Sequence, residues 1–84
     1  MFLHVASVNY INDYRLRIGF SDGTIKDVDL AGELHGEIFE PLKELDFFLK
    51  VTVNPHTRTI EWPNGADFAP EFLYETGVEI KKIA

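Results

Sequence analysis

The chain has 84 residues, enough for one hydrophobic core and too few for two, and its 45% apolar and 13% aromatic content excludes a disordered chain, because the rings supply the burial that offsets chain entropy. A formal net charge of −6 repels phosphate backbones and anionic surfaces, so neither direct nucleic-acid binding nor membrane attachment is expected. The lack of cysteine removes disulfides, thiolate nucleophiles and Cys-based zinc or iron–sulfur sites together.

The opening Met1-Phe2-Leu3-His4-Val5 has no basic leader and no sustained apolar stretch, and no run approaches the roughly 18–20 residues needed to cross a bilayer. A cytoplasmic protein is expected. No repeat, low-complexity tract or linker divides the chain, so residues 1–84 read as a single domain.

His4 to Ile11 reads as a strand that turns at Asn12-Asp13, with its buried face left open by the pattern. From Tyr14 to Phe20 the pattern is strict: Tyr14, Leu16, Ile18 and Phe20 alternate with Arg15, Arg17 and Gly19, the period of a strand with one wet face. Ser21-Asp22-Gly23 then turns the chain into a strand from Thr24 to Leu30. A two-residue loop would set Asp27 and Asp29 among the apolar residues. A three-residue loop, with Gly23 left-handed as a bulge, instead pairs Leu16 with Val28 and Tyr14 with Leu30, and Arg17 with Asp27 and Arg15 with Asp29 on the opposite face. Lys26 falls near Ile18, where its aliphatic stem could run along the apolar face.

Ile38, Leu42 and Leu45 recur at helical spacing with Pro41 in the opening turn, which predicts a short helix over about 39–46. Phe47, Leu49, Val51 and Val53 then alternate with Phe48, Lys50 and Thr52, predicting a second hairpin that turns around Asn54-Pro55-His56-Thr57. A two- or four-residue loop sets Val51 against Ile60, Leu49 against Trp62, Lys50 against Glu61 and Thr52 against Thr59. After Trp62 comes a turn and a second short helix, with Asp67 as its cap, Pro70 and Glu71 in its first turn and an end by Glu75-Thr76-Gly77. Residues 76–84 form either a last strand around Val78-Glu79-Ile80 or an arm. The expected fold is α+β: an antiparallel sheet of two hairpins plus an N-terminal strand, with two short helices.

The run Asp13-Tyr14-x-Leu16-x-Ile18-x-Phe20-x-Asp22-Gly23, then Val28-Asp29-Leu30, Pro41-Leu42, and above all Ile60-x-Trp62-Pro63-Asn64-Gly65-Ala66-Asp67-Phe68-Ala69-Pro70-x-x-Leu73-Tyr74, resembles the domain of unknown function 2442 family of small bacterial proteins. The resemblance covers nearly the whole chain. It implies a small α+β fold with no established catalytic activity and no accepted catalytic residues. Relatives attached to or encoded near helix-turn-helix or toxin–antitoxin-like components point to regulation or partner binding, but this chain has no room for a helix-turn-helix of its own.

Two candidate sites stand out. Trp62, Asn64, Gly65 and Asp67 bring an indole, a flexible backbone and a carboxylate together and could rim a ligand pocket; each also has a structural use, as core, turn or cap. Arg15, Arg17, Asp27 and Asp29 make a four-charge face that could meet a partner or stay solvated. Glu33-Leu34-His35-Gly36-Glu37 matches no established metal motif, and no serine sits in a nucleophile context. No catalytic residue, metal or cofactor is expected. The expected function is a non-enzymatic protein-interaction or regulatory module whose partner is another protein or a second copy of itself; the alternative is a small-molecule binder or minor enzyme with a pocket near Trp62–Asp67.

Overall fold

The computed structural model describes residues 2–80. Strand β1 (Val5–Asn12), β2 (Arg15–Phe20) and β3 (Ile25–Asp29) form an antiparallel meander, and β6 (Val78–Glu79) closes a four-stranded sheet of order β1-β2-β3-β6. Between β3 and β6 lie 3-10 turns at Ala31–Glu33 and Glu40–Lys43, helix α1 (Leu45–Phe48), a separate two-stranded sheet of β4 (Thr52–Val53) and β5 (Ile60–Glu61), and helix α2 (Pro70–Thr76). The fold is α+β, as the patterning implies.

The first hairpin has the register that places charge against charge. Arg15 faces Asp29, Leu16 faces Val28 and Arg17 faces Asp27, while the Leu30 N–H donates to the Tyr14 carbonyl at 2.9 Å. Gly23 has φ +89° and its N–H reaches the Phe20 carbonyl, as a three-residue loop with a left-handed bulge requires. Leu16, Ile18, Phe20, Val28 and Leu30 are buried on one side of the sheet. Lys26 is half-buried on that side; its ammonium lies 3.8 Å over the Tyr74 ring and donates to the Tyr74 carbonyl near the end of α2, where a cation suits the helix dipole.

β1 pairs with β2 through two register shifts, between Val5 and Ser7 and between Tyr10 and Asn12. Those bulges explain why its sequence never showed a clean buried face: each extra residue flips the alternation. Gly19 opposite Ser7 is a close approach, since a Cβ there would collide with the Ser7 hydroxyl oxygen.

The second hairpin differs from its expected form. Phe47 and Phe48 belong to α1, Leu49 caps it and Val51 lies outside any strand, so the ladder is only Thr52↔Glu61 and Val53↔Ile60. The expected Val51–Ile60 and Leu49–Trp62 pairs do not form, and the register is displaced by two residues. A two-residue slip keeps the same side chains on the same face, so hydrophobic alternation could not tell the two registers apart. The loop decides it: Arg58 takes a left-handed φ of 58°, its N–H reaches the Asn54 carbonyl at 2.7 Å, and the Asn54 side chain accepts from the His56 and Thr57 N–H groups. This hairpin also forms its own sheet; the fourth strand of the main sheet is instead β6. The single helix expected over 39–46 is divided into the 3-10 turn with Pro41 at its start and α1.

α1, the small sheet and α2 cover the apolar side of the main sheet, and one aromatic chain ties the layers together. Phe48 meets the edges of Tyr10 and Tyr14 and packs at 5.7 Å on Trp62, which meets Phe68 at 5.9 Å; Phe68 stacks on Phe39 and Phe72. Among the described residues every buried side-chain nitrogen and oxygen has a hydrogen-bond partner. No helix among them is long and apolar enough to cross a membrane.

Candidate functional site

The block Trp62–Asp67 is a tight turn built on the same plan as the first hairpin loop. In Phe20-Ser21-Asp22-Gly23-Thr24, the aromatic N–H donates to the carbonyl four residues on, the glycine N–H donates back to the aromatic carbonyl, and the Asp22 carboxylate accepts from the Thr24 N–H. In Trp62-Pro63-Asn64-Gly65-Ala66 the Trp62 N–H reaches the Ala66 carbonyl, the Gly65 N–H reaches the Trp62 carbonyl, and Asn64 accepts from the Ala66 N–H. Gly65 has φ +88°, matching Gly23. The Asn64 amide group donates to the Ile38 carbonyl at 2.8 Å and ties the turn to the segment before α1.

Within this turn Trp62 is 1% exposed and its indole N–H donates to the Phe48 carbonyl at 2.9 Å, so the ring faces the core and rims no opening. Asp67 is exposed and its backbone bridges to Glu61. It does not cap α2. Ala69 holds that position, extended at ψ 142° ahead of Pro70, and no side chain bonds there; proline at the first helical position sets the preceding residue extended and moves the helix start past the reach of Asp67. The four residues therefore lie on different surfaces: Trp62 inside, Asn64, Gly65 and Asp67 outside.

Arg15, Arg17, Asp27 and Asp29 do come together, on the side of the main sheet opposite the core. Arg17 grips Asp27 through two bonds, Nε to Oδ1 at 2.9 Å and Nη2 to Oδ2 at 3.2 Å, the geometry in which guanidinium and carboxylate fit best. Arg15 approaches Asp29 through Nε alone, at 3.6 Å. The Asp27 carboxyl is held below its ordinary value chiefly by the Arg17 hydrogen bond, with partial burial opposing and the charges of Arg17 and Arg15 adding; Arg17 is correspondingly raised. Asp22 is lowered too, first by the Thr24 backbone N–H, with the Tyr74 hydroxyl also donating to it at 2.9 Å.

Beside this quartet lies an open hollow of about 370 Å³ lined by Arg15, Asp27, Asp29, Thr76 and Val78. Its origin is the shortness of β6: Val78 faces Asp27, but the chain at Thr76 already belongs to α2, so among the described residues Asp29 has no strand partner on that side. Val78 is 72% exposed. Thr76 and Val78 are the members of this site that sequence reasoning missed, because three alternating residues at the chain's end do not separate a strand from an arm. His35 and Glu37 are exposed, and among the described residues no group of three or more His, Asp or Glu side chains is placed to hold a metal ion.

Residues 5–79 match the family described as a protein of unknown function (DUF2442), and the chain belongs to that family. Neither the curated proteins nor the solved structures searched yield a match.

Proposed function

We infer that this member of the family is a non-enzymatic protein-interaction module, one half of a regulatory pair of the toxin–antitoxin or transcription-regulator kind, and that it works through the open face of its main sheet. The observation that carries this reading is the placement of the charge quartet. Four charged side chains sit at the centre of a sheet face left open among the described residues, and three of them, Arg15, Asp27 and Asp29, line a hollow with an apolar wall at Val78. Interfaces combine such features: a polar, geometrically specific pattern that selects the partner and a concavity that receives an anchor. The Arg17 hydrogen bonds hold the Asp27 carboxyl in its charged form, as a fixed recognition charge requires.

The test is site-specific photo-crosslinking in the native host. A photoreactive side chain at Thr76, on the hollow, is expected to give discrete protein adducts, whereas the same group at Glu71, exposed on α2, is not. Equal or absent adducts from the two positions would overturn the reading.

A further inference from the structure

We propose that the open sheet face pairs with the same face of a second copy, about a two-fold axis running parallel to the strands between β2 and β3, with the second copy's Arg15 received in the hollow beside Asp29. This rests on the reading of the open face as an interaction surface, and describes a weak self-contact there that gives way to the other member of the pair.

The argument is charge complementarity. Both arginines are on β2 and both aspartates on β3, so the face carries a basic column and an acidic column side by side, about 4.8 Å apart with about 6.7 Å between rows. Rotation about an axis parallel to the strands and midway between these columns lays the basic column of one copy over the acidic column of the other, and the reverse. An axis across the strands would instead lay arginine over arginine and aspartate over aspartate. Only the first arrangement is attractive, and β2 and β3 are the two middle strands of the order β1-β2-β3-β6, so the same axis centres one sheet on the other. Stacked sheets cross at about −30°, which displaces outer strands and leaves a central pair of columns in register.

The two ion pairs are unequal in a way that suits this assembly. Arg17 is committed to Asp27 through two hydrogen bonds. Arg15 makes only the longer single contact with Asp29, and both side chains are about half exposed, at 52% and 54%. The remaining guanidinium donors of Arg15 are therefore free of any side-chain partner in their own chain among the described residues. Across the axis Arg15 lies over Asp29 and reaches the hollow, where Asp29 Oδ2 supplies an acceptor, its Oδ1 already holding the Ala31 N–H, and Val78 gives an apolar wall for the arginine stem. A face only four strands wide is small against the roughly 800 Å² per partner of a stable complex, and each copy carries −6, so the association is weak and reversible.

The experiment is sedimentation equilibrium from about 10 μM to about 1 mM, the range in which an interface of this size associates. Wild type is expected to be in monomer–dimer exchange. Arg15→Asp and Asp29→Arg, each checked for native circular dichroism, are each expected to weaken self-association about tenfold or more, because each sets like charges across the axis twice. Mixed one to one, the two variants are expected to regain it as a heterodimer. Positions 15 and 29 are then both acidic in one chain and both basic in the other, so every contact across the axis joins opposite charges. Self-association indifferent to these substitutions, or no recovery on mixing, would overturn the proposal. So would wild type that stays monomeric to the top of the range; if Thr76 adducts to a different protein persist in that case, self-pairing falls while the interaction reading stands.

Discussion

Replacing Trp62 with phenylalanine tests whether the chain's one tryptophan is there to build the core. The indole is 1% exposed, lies between Phe48 and Phe68, and donates its N–H to the Phe48 carbonyl at 2.9 Å. Phenylalanine keeps a ring but removes that donor, leaving the carbonyl with the longer 3.3 Å bond from the Val51 N–H. Losing the bond costs about 1–2 kcal/mol, and the unfilled space left by the smaller ring adds about 1–2 kcal/mol. A domain of this size has a total stability of about 4–13 kcal/mol, and each kcal/mol moves the midpoint by about 4–8 °C, so Trp62→Phe is expected to lower the melting temperature by about 10–25 °C. Thermal unfolding followed by far-ultraviolet circular dichroism reads this directly. The wild-type protein supplies a second measurement, because Trp62 is its only tryptophan and its emission should be blue-shifted and protected from acrylamide. A shift of less than about 2 °C, well under one kcal/mol, together with free quenching, would refute the core assignment.

The neighbouring residues should divide by their hydrogen bonds: Asn64→Ala is expected to cost about 1–2 kcal/mol for its bonds to Ala66 and Ile38, and Asp67→Ala less than about 0.5 kcal/mol, both read by urea unfolding. Gly77 has an ordinary φ of −73°, yet a Cβ there would lie 2.8 Å from the Lys26 Cβ and 3.0 Å from both the Leu73 carbonyl oxygen and a Val28 methyl, so Gly77→Ala is expected to destabilise by about 1–3 kcal/mol through overpacking between α2 and β3; a neutral substitution would show that α2 can lift. The lowered Asp27 pKa sets the sign of its acid dependence. Its stabilisation is present above the unfolded carboxylate value of about 3.9 and is lost as pH falls through the folded value, so the melting curves of wild type and Asp27→Asn should differ near neutrality and converge once the pH is below the lowered folded value. Curves that stay parallel throughout would remove the Arg17–Asp27 pair as the cause.

The first hairpin was legible because two independent requirements agreed: only one loop length buries Leu16 opposite Val28 and also opposes Arg15 and Arg17 to Asp29 and Asp27. The second was not. Phe47 to Val53 alternates like a strand, but Leu45, Phe48 and Leu49 also stand at helical spacing, and a short apolar run satisfies both periods. Tertiary contacts settled it, since Phe48 in α1 gives its ring to Trp62 and Tyr14 and its carbonyl to the indole. The expected capping by Asp67 failed on a smaller point, the two-residue offset imposed by Pro70. At the candidate sites, the charge quartet was readable from register alone. The hollow beside it was not, because it arises from where β6 stops.

The two loops built on an aromatic residue, a spacer, Asp or Asn, and Gly bear on where function lies. In each, the aromatic is buried, the glycine supplies the left-handed turn and the Asx side chain closes the loop before reaching to another segment: Asp22 to the Tyr74 hydroxyl, Asn64 to the Ile38 carbonyl. Each loop thereby fixes a hairpin and fastens it to the layer across the core. Trp62, Asn64, Gly65, Phe20, Asp22 and Gly23 are thus accounted for by folding. The quartet is different in kind. Its ion pairs are partly exposed, where such pairs contribute only about 0–1 kcal/mol, although Asp29 also accepts the Ala31 N–H at 3.0 Å. Ion pairs that add so little to stability yet hold one charge pattern on the open face are what the proposed partner selection requires.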